Sequence, residues 1–318
     1  TVFFNAPCSK PVPYGAVPEP PLSRMGHTTT VISEAASLEV DPSRLQLQNA
    51  IGTGRTANVY RATLDGREVA VKKFKVDGLQ MSTVEKKNLQ REVDIMKEIQ
   101  HPLLVNLVGV VTSNGLSLIT EFCHGGDVFT LLHDREDIEL SWSQQVKMSC
   151  DVAQAMCFLH NCTPQIIHRD LKSLNLLLAE PIDSEMVEPL VKVSDFGQSR
   201  MKDKARRELE VMTKYVGTQH WMAPEVIRGM DYDEKVDVYS YAMILFEVIC
   251  REVPFEDLTP KEAALLAVRG QRPDLEAVPP DCPEALVNLM VGCWAQDPQK
   301  RPSFEAVITK LCPVKCSL

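Results

Sequence analysis

The feature that most constrains this chain is a change of hydrophobic period part-way along it. Residues 46–75 alternate and carry β-branched side chains around Gly52, Gly54 and the pair Asp65-Gly66. A period of two closed by an Asp-Gly turn predicts three antiparallel strands. From Ser141, where Gln144 completes a capping box, the apolar residues recur mostly at helical spacing. Between these stretches, Ser82 and Glu85 form another capping box ahead of Leu89, Val93, Met96 and Ile99, which predicts a helix. Residues 103–111 and 116–122 read as further strands, and residues 166–193 as short strands and loops. The expectation is an α+β protein in which a small β-rich lobe precedes a larger helical one, joined near residues 121–127. No internal repeat is visible.

Composition narrows the function classes. With 318 residues, 44% hydrophobic and 24% charged, the chain suits a globular protein and not a disordered, collagen-like or disulfide-dense one. That length allows two domains or one two-lobed domain. The net charge of −9 argues against a general nucleic-acid surface. The longest apolar run, residues 239–250, is interrupted by Glu247 and is too short to span a bilayer. It reads as a buried core helix.

The ten cysteines form no CxxC pair and no zinc-ligand spacing, which predicts reduced thiols in a cytoplasmic protein. Pro7, Pro11, Pro13, Pro18, Pro20 and Pro21 crowd the start, so residues 1–43 read as an extended, disordered linker. Its Pro18/Pro21 spacing is a PxxP, a match that any proline-rich stretch produces by chance. A start at Thr1 instead of Met points to a piece of a longer protein, with regulatory domains beyond it.

Four strings carry chemistry. Ile51-Gly-Thr-Gly-Arg-Thr-Ala-Asn-Val59 is a glycine-rich hairpin whose backbone N–H groups can approach phosphate oxygens. It departs from G-x-G-x-x-G at Ala57, and a strand, not a helix, follows it, which sets aside a dinucleotide fold. Val69-Ala-Val-Lys72 puts a lysine among apolar strand residues, where it needs an anion. Glu92, one of several acids on the next helix, can supply a carboxylate that holds Lys72 against a nucleotide's phosphates. In His168-Arg-Asp-Leu-Lys-Ser-Leu-Asn175, Asp170 can accept a proton from a substrate hydroxyl, Lys172 can neutralise a transferring phosphoryl group, and Asn175 offers an amide oxygen to Mg²⁺. Val191-Lys-Val-Ser-Asp-Phe-Gly197 ends a strand on Asp195, a second magnesium ligand, and on a glycine that lets the backbone turn.

In this order and spacing, and with Ala223-Pro-Glu225 beyond them, the strings resemble the eukaryotic protein kinases over about residues 45–312. The resemblance implies a two-lobed fold with ATP in the cleft, an N-lobe over about 44–121, a C-lobe over about 126–313 and a tail at 314–318. It implies that Lys72 pairs with Glu92, that Asp170 is the catalytic base and that Asn175 and Asp195 hold Mg²⁺. Val59, Ala70 and Leu177 would sandwich the adenine. Glu121-Phe-Cys123 would form the hinge, with Thr120 as gatekeeper, and Ile51, Gly52 and Gly54 would cover the phosphates. Met96, Leu107, His168 and Phe196 match the side-chain stack of active kinases. Asp237 matches the aspartate that braces the catalytic loop, and Arg301 the ion-pair partner of Glu225. Cys123 reads as an inert hinge residue in preference to a reactive thiol.

Lys172, two residues after Asp170, and the pair Gly217-Thr218 match Ser/Thr kinases, whereas Trp221-Met-Ala-Pro-Glu225 and Cys293-Trp-Ala-Gln-Asp-Pro298 look like the tyrosine-kinase side. That mixture resembles the tyrosine-kinase-like group, which includes mixed-lineage, Raf-like and Roco kinases. The activation loop would lie between Asp195 and Glu225. Residues 200–214 carry six basic and three acidic residues, with Thr213 and Tyr215 as candidate phosphorylation sites, Ser199 behind them and Arg169 as the phosphate's partner. One rival reading is a pseudokinase scaffold, but Lys72, Asp170 and Asp195 are all present. The other is a small-molecule kinase, against which residues 217–225 argue because that segment docks peptide substrates in protein kinases.

Overall fold

In the computed structural model, Asp65 and Gly66 both take left-handed backbone (φ 49° and 81°) and close a two-residue hairpin. The structure describes residues 38–54, 57–75, 83–113, 116–202 and 219–317, with the backbone alone for 83–89 and 202. Two units divide the chain, Thr1–Leu38 and Glu39–Leu318; residues 1–37, most of the expected linker, lie outside the described residues.

The hairpin joins β2 (Ala57–Leu64) to β3 (Arg67–Phe74). With β1 (Leu45–Thr53), β4 (Leu107–Val111) and β5 (Ser117–Glu121) they form one antiparallel sheet in the order β1-β2-β3-β5-β4. Alternation then sorts the side chains. Val69 and Val71 point to one face and are buried with Ala62, Leu64, Val111 and Ile119, whereas Ala70 and Lys72 point to the other. Helix α1 (Thr83–Glu98) follows β3 and buries Val93 and Met96, with Ile99 buried just past its end. The capping box expected at its start falls on residues and side chains outside those described.

The C-lobe is helical: α2 (Val128–His133), α3 (Trp142–Asn161), α4 (Pro224–Ile227), α5 (Lys235–Cys250), α6 (Pro260–Val268), α7 (Glu284–Cys293) and α8 (Phe304–Ser317). At the start of α3 the Ser141 hydroxyl accepts from Gln144 N and the Gln144 side chain accepts from Ser141 N, the reciprocal cap that satisfies two end donors. α5 is buried from Val236 to Ile249, as the apolar run required. Short ladders pair β6 (Gln165–Ile167) with β9 (Arg200–Lys202) and β7 (Leu176–Leu178) with β8 (Val191–Val193).

Packed residues lie on either side of the expected catalytic unit. Before residue 44, Glu39 bridges Val110, Val40 N donates to Val110 O at 2.8 Å, and the Val40 side chain is buried under the sheet. Order extends past 313 as well, because α8 continues through Pro313 to bury Val314. Apolar contact holds each end in place where proline content or position alone indicated a loose one.

Candidate functional site between the lobes

The face of the sheet opposite Val69 and Val71 aligns most of the N-lobe residues singled out by sequence. Register puts Gly52 opposite Val59, Val59 opposite Lys72, and Ala70 opposite Thr120, so they share one surface. Val59, Ala70 and Thr120 are each half-buried; Ile51 at the rim is exposed. Gly54 N donates to Ala57 O at 2.8 Å and closes the turn at the mouth. The connection after β5 then runs through Cys123 and is pinned to β7: His124 N donates to Ala179 O at 2.9 Å and Gly125 N to Leu178 O at 3.0 Å. This brings half-buried Leu177 of β7 beneath the same opening. Gly125 is required, since a Cβ there would lie 2.5 Å from Glu180 O and from Leu178 Cβ.

Lys72 is the centre of charge. Its Nζ donates to Glu92 Oε1 and to Asp195 Oδ1, both at 2.8 Å. Desolvation lowers the lysine's pKa, but Asp195 and Glu92 outweigh it, so the ammonium stays charged well above the usual lysine range. For Asp195, desolvation raises the pKa and Lys72 overrides it, holding the carboxyl down at about 2. Asp195 sits in left-handed backbone (φ 61°), an uncommon conformation for a residue with a side chain, and accepts from Gly197 N at 3.3 Å. Gly197 is small for a reason: a Cβ would lie 3.2 Å from Glu92 Oε2. The turn after Asp195 therefore packs directly on α1. Phe196 is buried, with its ring 5.5 Å from that of His168; Met96 is buried in the same core, against which half-buried Leu107 packs.

On the C-lobe side, Asp170 Oδ2 accepts from Lys172 Nζ at 2.9 Å and from Asn175 Nδ2 at 3.2 Å; Asn175 also donates to Asp170 O at 2.8 Å. Asp237, fully buried on α5, accepts from His168 N and Arg169 N, each at 2.8 Å, and from His160 Nε2 at 2.9 Å. Burial raises its pKa, but these donors keep it below the ordinary range, so it braces the loop as an anion. Arg169, also left-handed (φ 70°), lies over the Tyr232 ring at 5.5 Å.

Three features were not anticipated. The Glu121 side chain bridges the two lobes: Oε2 accepts from buried Lys192 at 2.7 Å and Oε1 from Asn106 N, just before β4, at 2.8 Å. A clamp between the hinge and the strand leading to Asp195 joins residues 71 apart, and no local pattern signals it. Ser199 is buried and donates to His168 O at 3.3 Å, which shields it from modification in this arrangement. Burial, then Glu121, pushes the Cys123 thiol up to about 11, so it stays protonated and unreactive at neutral pH. Thr213, Tyr215 and the pair Gly217-Thr218 lie outside the described residues.

With this geometry stands one match over most of the chain: the family of protein tyrosine and serine/threonine kinases matches residues 45–311. The chain belongs to the protein kinase family. Its relatives are serine/threonine kinases: the probable serine/threonine-protein kinase roco7 of Dictyostelium discoideum is 38% identical over 82% of this chain and 10% of its own length. The probable serine/threonine-protein kinase drkC of the same organism is 37% identical over 86% of this chain and 35% of its own length. Serine/threonine-protein kinase STY17 of Arabidopsis thaliana is 35% identical over 86% of this chain and 45% of its own length. A Roco kinase and STY17 among the relatives put the domain in the tyrosine-kinase-like group, as the mixed motifs indicated. The kinase chain thus spans less than half the length of these three. Among the described residues, no helix is long and apolar enough to cross a membrane.

Proposed function

We propose that this protein kinase domain is an active enzyme that transfers the γ-phosphoryl group of ATP to Ser and Thr hydroxyls of proteins. The observation that carries this reading is the double hold on Lys72, at 2.8 Å from both Glu92 and Asp195, because a scaffold has no need to keep both contacts. The adenine lies between Val59 and Ala70 above and Leu177 below, with its edge on the backbone of residues 121–123 and Thr120 behind. Ile51, Gly52 and Gly54 cover the phosphates, which Lys72 orients. Asp170 accepts the acceptor hydroxyl's proton, and Lys172, hydrogen-bonded to it, neutralises charge on the moving phosphoryl group.

Asp195 and Asn175 suit Mg²⁺: they offer two hard oxygens, one carboxylate and one amide, and the Asn175 N–H₂ is already committed to Asp170. An ion that keeps several waters and binds phosphates needs no larger protein cage. Bound there, Mg²⁺ would screen the charge of the β- and γ-phosphates.

Residues 44–313 act as the catalytic unit, in the cytoplasm, where the free cysteines among the described residues remain reduced. Regulatory domains lie outside this sequence, and phosphorylation at Thr213 or Tyr215 switches the domain on.

The test is transfer of label from ATP to a generic basic protein, followed by phosphoamino-acid analysis, after preincubation of the kinase with ATP. Phosphoserine and phosphothreonine are expected, at a rate about 10²–10⁴ times that of Asp170→Asn. Label confined to tyrosine, or no transfer above Asp170→Asn, contradicts the reading.

A further inference from the structure

Along the outside of the hinge runs a chain of charges that neither the cleft nor the catalytic loop uses. Arg61 on β2 donates through Nε to Glu68 Oε1 at 2.7 Å, near the start of β3, and its guanidinium lies over the Phe122 ring at 5.2 Å. Glu68 Oε2 lies 2.8 Å from His124 Nε2, and the rings of Phe122 and His124 meet edge to face at 5.0 Å. On the other side of the imidazole, Nδ1 lies 3.7 Å from Glu180 Oε1, two residues past β7. The charged groups facing the ring are therefore Glu68 from β3, with Arg61 behind it from β2, and Glu180 from the segment after β7. The neighbouring Cys123 thiol is held protonated. Hydrogen bonds from His124 first and Arg61 second keep the Glu68 carboxyl below its ordinary range, so it faces the ring as an anion.

The imidazole thus stands between carboxylates from the two lobes. Its backbone belongs to the C-lobe side, because His124 N donates to Ala179 O at 2.9 Å. Glu68 lies two positions before Ala70 on β3, and Glu180 three positions after Leu177 on β7. One ring therefore spans the two strands that carry the upper and lower walls of the slot. An imidazole has two N–H groups only when protonated. The cation can donate to both carboxylates. The neutral ring keeps one N–H for the nearer acid, Glu68, and turns a lone pair toward Glu180, which it then repels.

We propose that His124 is a positioning residue for nucleotide binding, a proton-linked brace that sets the spacing of β3 and β7 at the adenine slot. The proposal rests on the kinase reading above for the nucleotide but not for the brace itself. The protonated ring makes both contacts, so the brace is complete on the acid side and loosens as pH rises through the imidazole range. The ring is 40% exposed and Glu180 74% exposed, so solvent screens the contacts and the effect is small, graded and sensitive to salt.

The test is the Kd for ATP with Mg²⁺, measured by calorimetry at about pH 6 and about pH 8 in low salt, for wild type, His124→Gln and Glu180→Gln. Wild type should bind about 3-fold tighter than His124→Gln at the lower pH, the scale of one exposed ion pair, and equally at the higher. Taking the ratio cancels the titration of ATP and of the other histidines. In Glu180→Gln the pH-dependent part should vanish, because an amide can donate to a neutral Nδ1 and accept from a protonated one. A second readout needs no nucleotide: amide-exchange protection at residues 122–125 should be greater in wild type than in His124→Gln at the lower pH and equal at the higher. Equal protection at both pH values overturns the brace. A binding ratio that does not change with pH, or a pH dependence kept in Glu180→Gln, overturns the positioning role. If no ATP binds at either pH, the kinase reading falls and the exchange result still decides the brace.

Discussion

Lys72 and Arg301 each hold carboxylates, in opposite surroundings. The Lys72 side chain is 25% exposed between Glu92 and Asp195, and Asp195 is 42% exposed. Arg301 is fully buried against Glu225 in a two-pronged pair of 2.6 and 2.9 Å, with further donation to Ala295 O at 2.8 Å and Lys235 O at 2.9 Å. A dry, fully satisfied pair has no capacity left for a ligand; it ties the segment before α8 to α4 and to the start of α5. The open cluster keeps part of Asp195 accessible in the cleft, at the expense of weaker electrostatics in water. Similar ions thus do two jobs, and exposure decides which. Removing the first should change rate and removing the second should change stability.

The largest stability effect expected is for Arg301→Met, which strands the buried Glu225 charge. The loss should be roughly 3–5 kcal/mol, read as a fall in Tm of about 10 °C. An unchanged melt would break the comparison at its structural end. Gly125→Ala sharpens it at the hinge: a Cβ 2.5 Å from the Glu180 carbonyl oxygen forces the hinge off β7, for about 1–3 kcal/mol by denaturant melt.

A smaller effect appears only with pH. Asp195 is held at about 2, against about 3.9 in an unfolded chain. A depressed carboxyl contributes stability that is complete above its unfolded value and lost as pH falls through its folded one. The melting advantage of wild type over Asp195→Asn should therefore be level from pH 5 to 8 and fade between about pH 4 and 2; an advantage that grows on acidification would contradict the assignment to Lys72. Smallest of all is Arg44→Ala, which removes a pair with Asp65 whose side chains are 54% and 51% exposed. No measurable change in Tm is expected, because solvent screens such a pair.

Much of the fold could be read from local pattern because its causes are local. The Asp65-Gly66 hairpin, the Ser141/Gln144 cap and the buried run of α5 all appear where residues a few positions apart demanded them. The site was legible to the extent that its parts are short strings. Glu92 was one of several acids available to Lys72, and its place on the α1 face that packs on the Asp195 turn singled it out. The contacts that escaped are distant ones. Lys72 meets Asp195 across 123 positions, Lys192 meets Glu121 across 71, and Trp221 meets Glu247 through the core. Periodicity tells which face a side chain occupies, not which buried charge it will find there. Glu247 did leave a trace, as the single charge in an apolar run, but its partners emerge only when three elements pack around it.

The claim that the open cluster serves rate far more than stability is tested most directly by Asp195→Asn, measured for phosphoryl transfer and thermal melting on the same preparation. Lys72 keeps Glu92 as a partner in this variant, so no buried charge is stranded. Transfer should fall at least about 100-fold while Tm stays within about 3 °C of wild type. Retained transfer, or a melt that collapses as for Arg301→Met, would contradict the account.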